Sequence, residues 1–142
     1  MSTPTRFPFL PRPAGSGSLD LAPLLPACLS RNGVDVDLVG LVDSGSSFSI
    51  LPFDIGARFG LPWNSLPHAL TLGGIGRGIP AKMIALHMTF GPIGPVSQLF
   101  AWANSNDLPI VFGQATFFMN FDVFFFRAQS YFEIQPATAA TP

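Results

Sequence analysis

Charge is what this sequence has least of. Lys, Arg, Asp and Glu make up 11% of its 142 residues, less than half the share of about 25% in an average globular protein. Apolar residues make up 48%, so a chain of this size has too few charges to cover its own surface. Self-association that buries apolar surface is therefore expected. The formal net charge of −1 leaves no basic footprint for nucleic acid. His68, His87 and Cys28 stand at none of the spacings that hold a metal, so no metal or cofactor is expected. A lone cysteine excludes an internal disulfide, and Cys28 reads as a small buried residue. No apolar run is long enough to cross a bilayer. Met1 to Pro8 lack the apolar stretch of a signal peptide. With no leader and no span expected, a cytoplasmic location is favoured.

What is abundant points to one fold class. The chain has 14 Gly, 15 Pro and 15 Phe, and aromatics reach 13%. Frequent turns with many aromatics argue for an all-β domain rather than a disordered chain. Residues 1–18, rich in Pro, Ser, Thr and Gly, read as a flexible N-terminal arm, and residues 19–142 as the domain. Phe7 and Phe9 could still dock as an edge strand, since Pro8 tolerates only an edge. Strands are expected over Ala27–Ser30 and Val34–Val42, joined by a hairpin turn at Asn32-Gly33. Asp35 and Asp37 fall on the wet face of the second strand. Its end, Leu38-Val39-Gly40-Leu41-Val42, is apolar at both parities and reads as buried on both faces. Phe48–Leu51 follows as a short strand, then a helix from Phe53 to Phe59 opened by Pro52 and stopped by Gly60. Asp54 and Arg58 lie one turn apart in it, a surface pair at most. Strands are further expected over Ala81–Phe90, Val96–Ala103 and Leu108–Gly113, with one or two helical turns over Gln114–Met119. A last hairpin runs through Phe121–Phe126 and Ser130–Ile134. The tail from Pro136 reads as loose.

The stretch that carries chemistry is Leu41-Val42-Asp43-Ser44-Gly45-Ser46-Ser47. A carboxylate placed directly after an apolar strand is expensive to bury unless it is paired or reactive. Gly45 permits a sharp turn, and the serine hydroxyls can hold a carboxylate. Ser44 is no nucleophile elbow, because Val42 stands where that motif needs glycine. The glycine-rich run Gly73-Gly74-Ile75-Gly76-Arg77-Gly78 reads as a hairpin tip rather than a phosphate cradle. Ile79 occupies the position of the last glycine of a dinucleotide motif, and no helix follows to receive a phosphate. Asp107 sits in a polar turn, and Asp122 reads as a turn or edge charge.

The order of these parts resembles the retropepsin family, the single-domain aspartic proteases of retroviruses and their bacterial relatives. The resemblance runs from about Ala27 to Pro136. It rests on Leu41-Val42-Asp43-Ser44-Gly45, on Gly73-Gly74-Ile75-Gly76 and on Ile110-Val111-Phe112-Gly113-Gln114. Phe117 to Val123 is similar to the helix and strand that follow in bacterial members. It implies an all-β closed barrel with one short helix near the C-terminus, working as a homodimer. It also implies an aspartic endopeptidase in which Asp43 and its symmetry mate activate a water. Ser44, Gly45 and Ser46 would support that turn, with Ser44 bracing it across the two-fold axis. Gly73, Gly74, Ile75, Gly76, Arg77 and Gly78 would form a flap over an extended peptide or unfolded protein substrate. The terminal strands, around Ser130 to Pro136 and at Phe7 to Phe9, would form the interface. The sequence departs from the pattern at Ser46, at the charged Arg77 and at Gln114, which stands where arginine is common and puts a supporting ion pair in question. The same barrel could also serve as a non-catalytic peptide-binding or assembly module.

Overall fold

The computed structural model describes residues 3–12, 20–67, 70–73 and 78–138. In chain order the elements are β1 (Thr5–Pro8), β2 (Leu10–Pro11), β3 (Leu21–Ala22), β4 (Leu24–Arg31) and β5 (Val34–Val42). Next come β6 (Ile50–Leu51), α1 (Phe53–Ala57), β7 (Leu70–Leu72), β8 (Ile79–Phe90) and β9 (Ile93–Ala103). The chain finishes with β10 (Val111–Phe112), α2 (Phe117–Asn120), β11 (Phe121–Phe126) and β12 (Tyr131–Pro136).

The β4–β5 hairpin turns at Asn32 and Gly33, both at positive φ (52° and 80°), the conformation that makes Asn-Gly a strong hairpin signal. Hydrogen bonding then runs β4, β5, β10, β6, β9, β8, and β4 pairs again with β8 through Cys28–Ser30. The ring therefore closes into a barrel of six strands, which removes exposed sheet edges around its wall. Only β7 hangs beyond it, paired to β8 at Leu70↔Ala81, Thr71↔Pro80 and Leu72↔Ile79. These two strands are the arms of the glycine-rich hairpin.

Several boundaries differ from the sequence reading. β4 begins at Leu24 rather than Ala27, because Leu24, Leu25 and Pro26 continue the ladder to Leu41, Gly40 and Val39. The end of β5 is not buried on both faces: Val36, Gly40 and Val42 point inward, while Val39 is 47% exposed. Alternation persists to the end of the strand because no layer of the described residues covers Val39. β9 starts at Ile93, so the β8–β9 turn is tighter than the expected Gly91–Pro95. Asp54 and Arg58 are both exposed and form no ion pair; among the described residues the one ion pair is Arg6–Glu133 at 2.9 Å. Cys28 is half-buried, and burial together with Asp37 and Asp35 pushes its thiol up, so it stays protonated.

A second sheet, β1-β12-β11, packs against the barrel. Phe7 lies in β1, opposite Phe132, so the first part of the arm lies on the domain as an edge strand. Rings connect this sheet to the barrel interior. Phe7 stacks on Phe132 (5.5 Å), Phe90 meets Phe121 (5.2 Å), Phe121 meets Phe117 (5.0 Å), and Phe117 stacks on Phe112 (5.5 Å). The Phe112 ring lies directly on Gly40, where any Cβ would overlap it. Lys82 is buried in the wall of β8, where its ammonium donates to the Leu66 carbonyl and lies 5.2 Å from the Trp63 ring.

Phe132 is fully buried and touches Phe7, Phe9 and Phe125. Phe132→Ala removes that anchor and leaves a cavity, so it should destabilise the chain by about 3–5 kcal/mol. The measurement is a urea unfolding midpoint. Little change would mean the β1-β12-β11 sheet contributes nothing to holding the barrel.

Candidate active site

Asp43 follows the last residue of β5, where its backbone N–H donates to the Phe112 carbonyl at 3.0 Å. β10 runs parallel to β5 here, with Val111 beside Leu41 and Phe112 beside Val42. The turn closes on itself: the Gly45 N–H donates to Asp43 Oδ1 at 2.9 Å, and the Ser46 N–H to the Asp43 carbonyl at 3.2 Å. Ser46 Oγ donates to the Phe48 carbonyl at 2.7 Å. Asp43 is half-buried, while Ser44 and Gly45 are exposed.

Residues 113–115 hold this turn from the other side. The Gln114 and Ala115 N–H groups donate to the carbonyls of Ser46 (2.8 Å) and Ser47 (3.0 Å), and the Ser49 N–H to the Ala115 carbonyl (3.0 Å). Gly113 must be glycine, because a Cβ there would overlap the Phe48 and Ser46 carbonyls. Its N–H donates to Ser49 Oγ at 3.0 Å, and both residues are buried. The Gln114 side-chain amide donates to the Ser44 carbonyl at 2.7 Å. The support questioned because glutamine replaces arginine is thus supplied as a neutral hydrogen bond to the turn itself.

Asp43, Gly45, Ser46 and Ser47 form one side of a cleft of about 670 Å³, and Leu70 to Gly73 form another. Leu41, Phe48, Ile50, Leu108, Pro109 and Val111 make the rest of its lining apolar, and Arg12 lies among the lining residues. Gly73 is exposed in the cleft lining, and Gly78 is exposed at φ +76° in the returning arm. Gly74, Ile75, Gly76 and Arg77 lie outside the described residues, as does His68. Asp43 is the only acid among the described lining residues. Asp122 is held in β11, where its Oδ2 accepts from Gln135 Nε2 at 3.4 Å. Asp107 and His87 are exposed elsewhere. No group of His, Cys, Asp and Glu suited to a metal occurs among the described residues.

Three contributors were not singled out from the sequence. Ser49, between bulky Phe48 and Ile50, reads as any strand serine; its role depends on the approach of Gly113. Thr116 Oγ1 accepts from the Leu99 N–H (3.0 Å) and donates to Gln98 Oε1 (3.1 Å), tying this segment to β9. Arg12 gave no signal, because its place at the cleft follows from where the arm lies.

A closed barrel with a parallel lock under an Asp-Ser-Gly turn and a glycine-rich hairpin beside it is the retropepsin-like acid protease fold. The chain is similar to the crystal structure of a retropepsin-like aspartic protease from Rickettsia conorii, with a TM-score of 0.57 and 16% identity over 94% of this chain and 96% of that one. No protein-family model matches the sequence, and no curated protein sequence matches it.

The lock makes a stability prediction. Ser49→Ala leaves the Gly113 N–H buried and unpaired, and should cost about 1–3 kcal/mol. Ser47→Ala, at an exposed position, should shift stability by less than about 0.5 kcal/mol. Chemical denaturation of both variants checks this; equal midpoints would mean the Ser49 hydroxyl does not hold the turn.

Proposed function

We propose that the chain is a homodimeric aspartic endopeptidase whose site pairs Asp43 with the same residue of a second copy. The observation that carries this reading is one carboxylate, braced by a backbone N–H, lining one side of an apolar cleft beside the glycine-rich hairpin. Peptide hydrolysis by this route needs two carboxylates about 3 Å apart that hold one proton between them. One takes a proton from the attacking water while the other protonates the carbonyl oxygen. A single acid in the described lining makes half of such a site, and a two-fold axis supplies the other half. Ser44, Gly45 and Ser46 support the turn, and Ser44, which is exposed, braces it across the two-fold axis. Gly73 to Gly78 close over the substrate. The outer edge of β7 carries no strand in the described residues, so an extended peptide can pair there by strand addition.

The interface follows from which sheet edges are open. The family resemblance pointed to residues 130–136 and to Phe7–Phe9; β12 is flanked by β1 and β11 within the chain, whereas β1, which holds Phe7, keeps one edge open among the described residues. A second copy therefore adds strands at β1 or β11 rather than at β12. β11 supplies apolar surface for this, with Phe124 and Phe125 each 42% exposed and Phe126 36% exposed.

The test is hydrolysis of an unfolded protein at acid pH, with and without a pepstatin-type inhibitor. Asp43→Asn should lower the rate by more than about 100-fold, the scale of a lost acid–base group, with the fold unchanged by circular dichroism. Undiminished cleavage by that variant sinks the reading; binding of the peptide without cleavage by the native chain favours the non-catalytic module. A further outcome concerns assembly. Specific activity should fall on dilution as subunits separate, and excess Asp43→Asn protein should inhibit the native chain by forming mixed dimers. A monomer that is fully active in sedimentation-matched assays rules out the two-fold site.

A further inference from the structure

Among the described residues, the cleft is lined by one cation that the chemistry above does not use. Among its described lining residues only Asp43 and Arg12 carry charge. Charge is scarce in this chain, and its other cations are mostly engaged: Arg6 with Glu133, Arg31 with the Ala85 carbonyl, Lys82 with the Leu66 carbonyl, and Arg127 with Ser130. The Arg12 guanidinium is exposed and makes no ion pair with Asp43 or any other described residue. Its backbone is nonetheless held. Arg12 follows the β2–β3 pairing, and its N–H donates to the Asp20 carbonyl at 2.9 Å. The side chain therefore projects from an anchored position rather than from a loose tail.

We propose that Arg12 is an anion subsite of the cleft, selecting extended peptides that carry an Asp or Glu side chain next to the apolar side chain the cleft buries. This rests on the reading of the cleft as a peptide site. Leu41, Phe48, Ile50, Leu72, Leu108 and Val111 offer an apolar wall, which takes a large apolar side chain by burial. A guanidinium at such a wall takes a carboxylate through two parallel hydrogen bonds, a geometry lysine cannot match. Pairing with Asp43 is the competing use, but a cation fixed on that carboxylate would hold it ionised and oppose the shared proton that hydrolysis needs.

Matched peptides test this. Each carries one large apolar residue, with Glu, Gln or Lys placed in turn at each neighbouring position. At one position the Glu peptide should have a kcat/KM about three- to tenfold above the Gln peptide at low salt, the range for a partly exposed charged pair. That ratio should shrink toward one in high salt. Arg12→Gln should bring the ratio to about one, and Arg12→Glu should invert it in favour of the Lys peptide. A Glu preference that survives Arg12→Gln, or none at any position in the native chain, overturns the proposal. So does a loss in both variants that is equal for all peptides, which assigns Arg12 to folding or assembly. Titrating the Asp43→Asn protein with fluorescently labelled versions separates this from the catalytic reading. Equal Kd values for Glu and Gln peptides overturn the subsite even if hydrolysis is found. Unequal values with no cleavage by the native chain overturn hydrolysis alone.

Discussion

The structure depends on one close approach, the seating of Gly113 against the Asp43 turn. With no Cβ at Gly113, residues 113–115 can lie within hydrogen-bonding distance of residues 46–49. The Ser49 hydroxyl and the Gln114 amide then fix the turn from outside its own backbone. Each bond is worth about 0.5–1.5 kcal/mol net. Their effect is larger than the sum suggests because they converge on one turn and leave it few alternative conformations. The carboxylate is thereby held in the cleft lining by hydrogen bonds of the turn, without a charged partner among the described residues.

That lock is seated on aromatic packing. Phe112, in β10, lies on Gly40 of β5 and stacks on Phe117, which continues through Phe121 and Phe90 toward the outer sheet. The strand bearing the site, the short helix after it and the C-terminal hairpin therefore share one core. Ring-to-ring packing at native density transmits strain instead of absorbing it. Phe117 thus packs beneath Phe112, whose carbonyl accepts the Asp43 N–H.

Scarcity of charge has two consequences in the folded chain. It leaves apolar surface at Val39, Leu99, Met119 and Phe124 to Phe126. It also makes the few charges that remain informative. Arg6 is held by Glu133 and Arg31 and Lys82 by backbone carbonyls, and the closed barrel leaves few places where a strand can be added. Among the described residues, β1, β11 and β7 keep open edges, and an open edge has unpaired backbone groups that a paired ladder does not.

The sequence alone carried the all-β class, the Asn32-Gly33 hairpin, the glycine-rich hairpin and the position of Asp43. Each is encoded locally, by alternation, by turn residues with positive φ, or by an acid set against an apolar strand. Strand ends were less legible: Leu24 to Pro26 belong to β4 only because Leu41, Gly40 and Val39 lie opposite them. The exposure of Val39 likewise depended on whether a layer covers that side of β5, which composition does not encode. The roles of Ser49 and Arg12, and the partner of Gln114 at a position the resemblance had already marked, were decided by tertiary structure. Ser49 and Gln114 matter because Gly113 lets two segments some 65 residues apart meet. Arg12 lies at the cleft because the arm folds back on the domain. A serine, a glutamine and an arginine have no local pattern that announces such neighbours, since a hydrogen bond across the fold depends on distance in space and not on spacing in the chain.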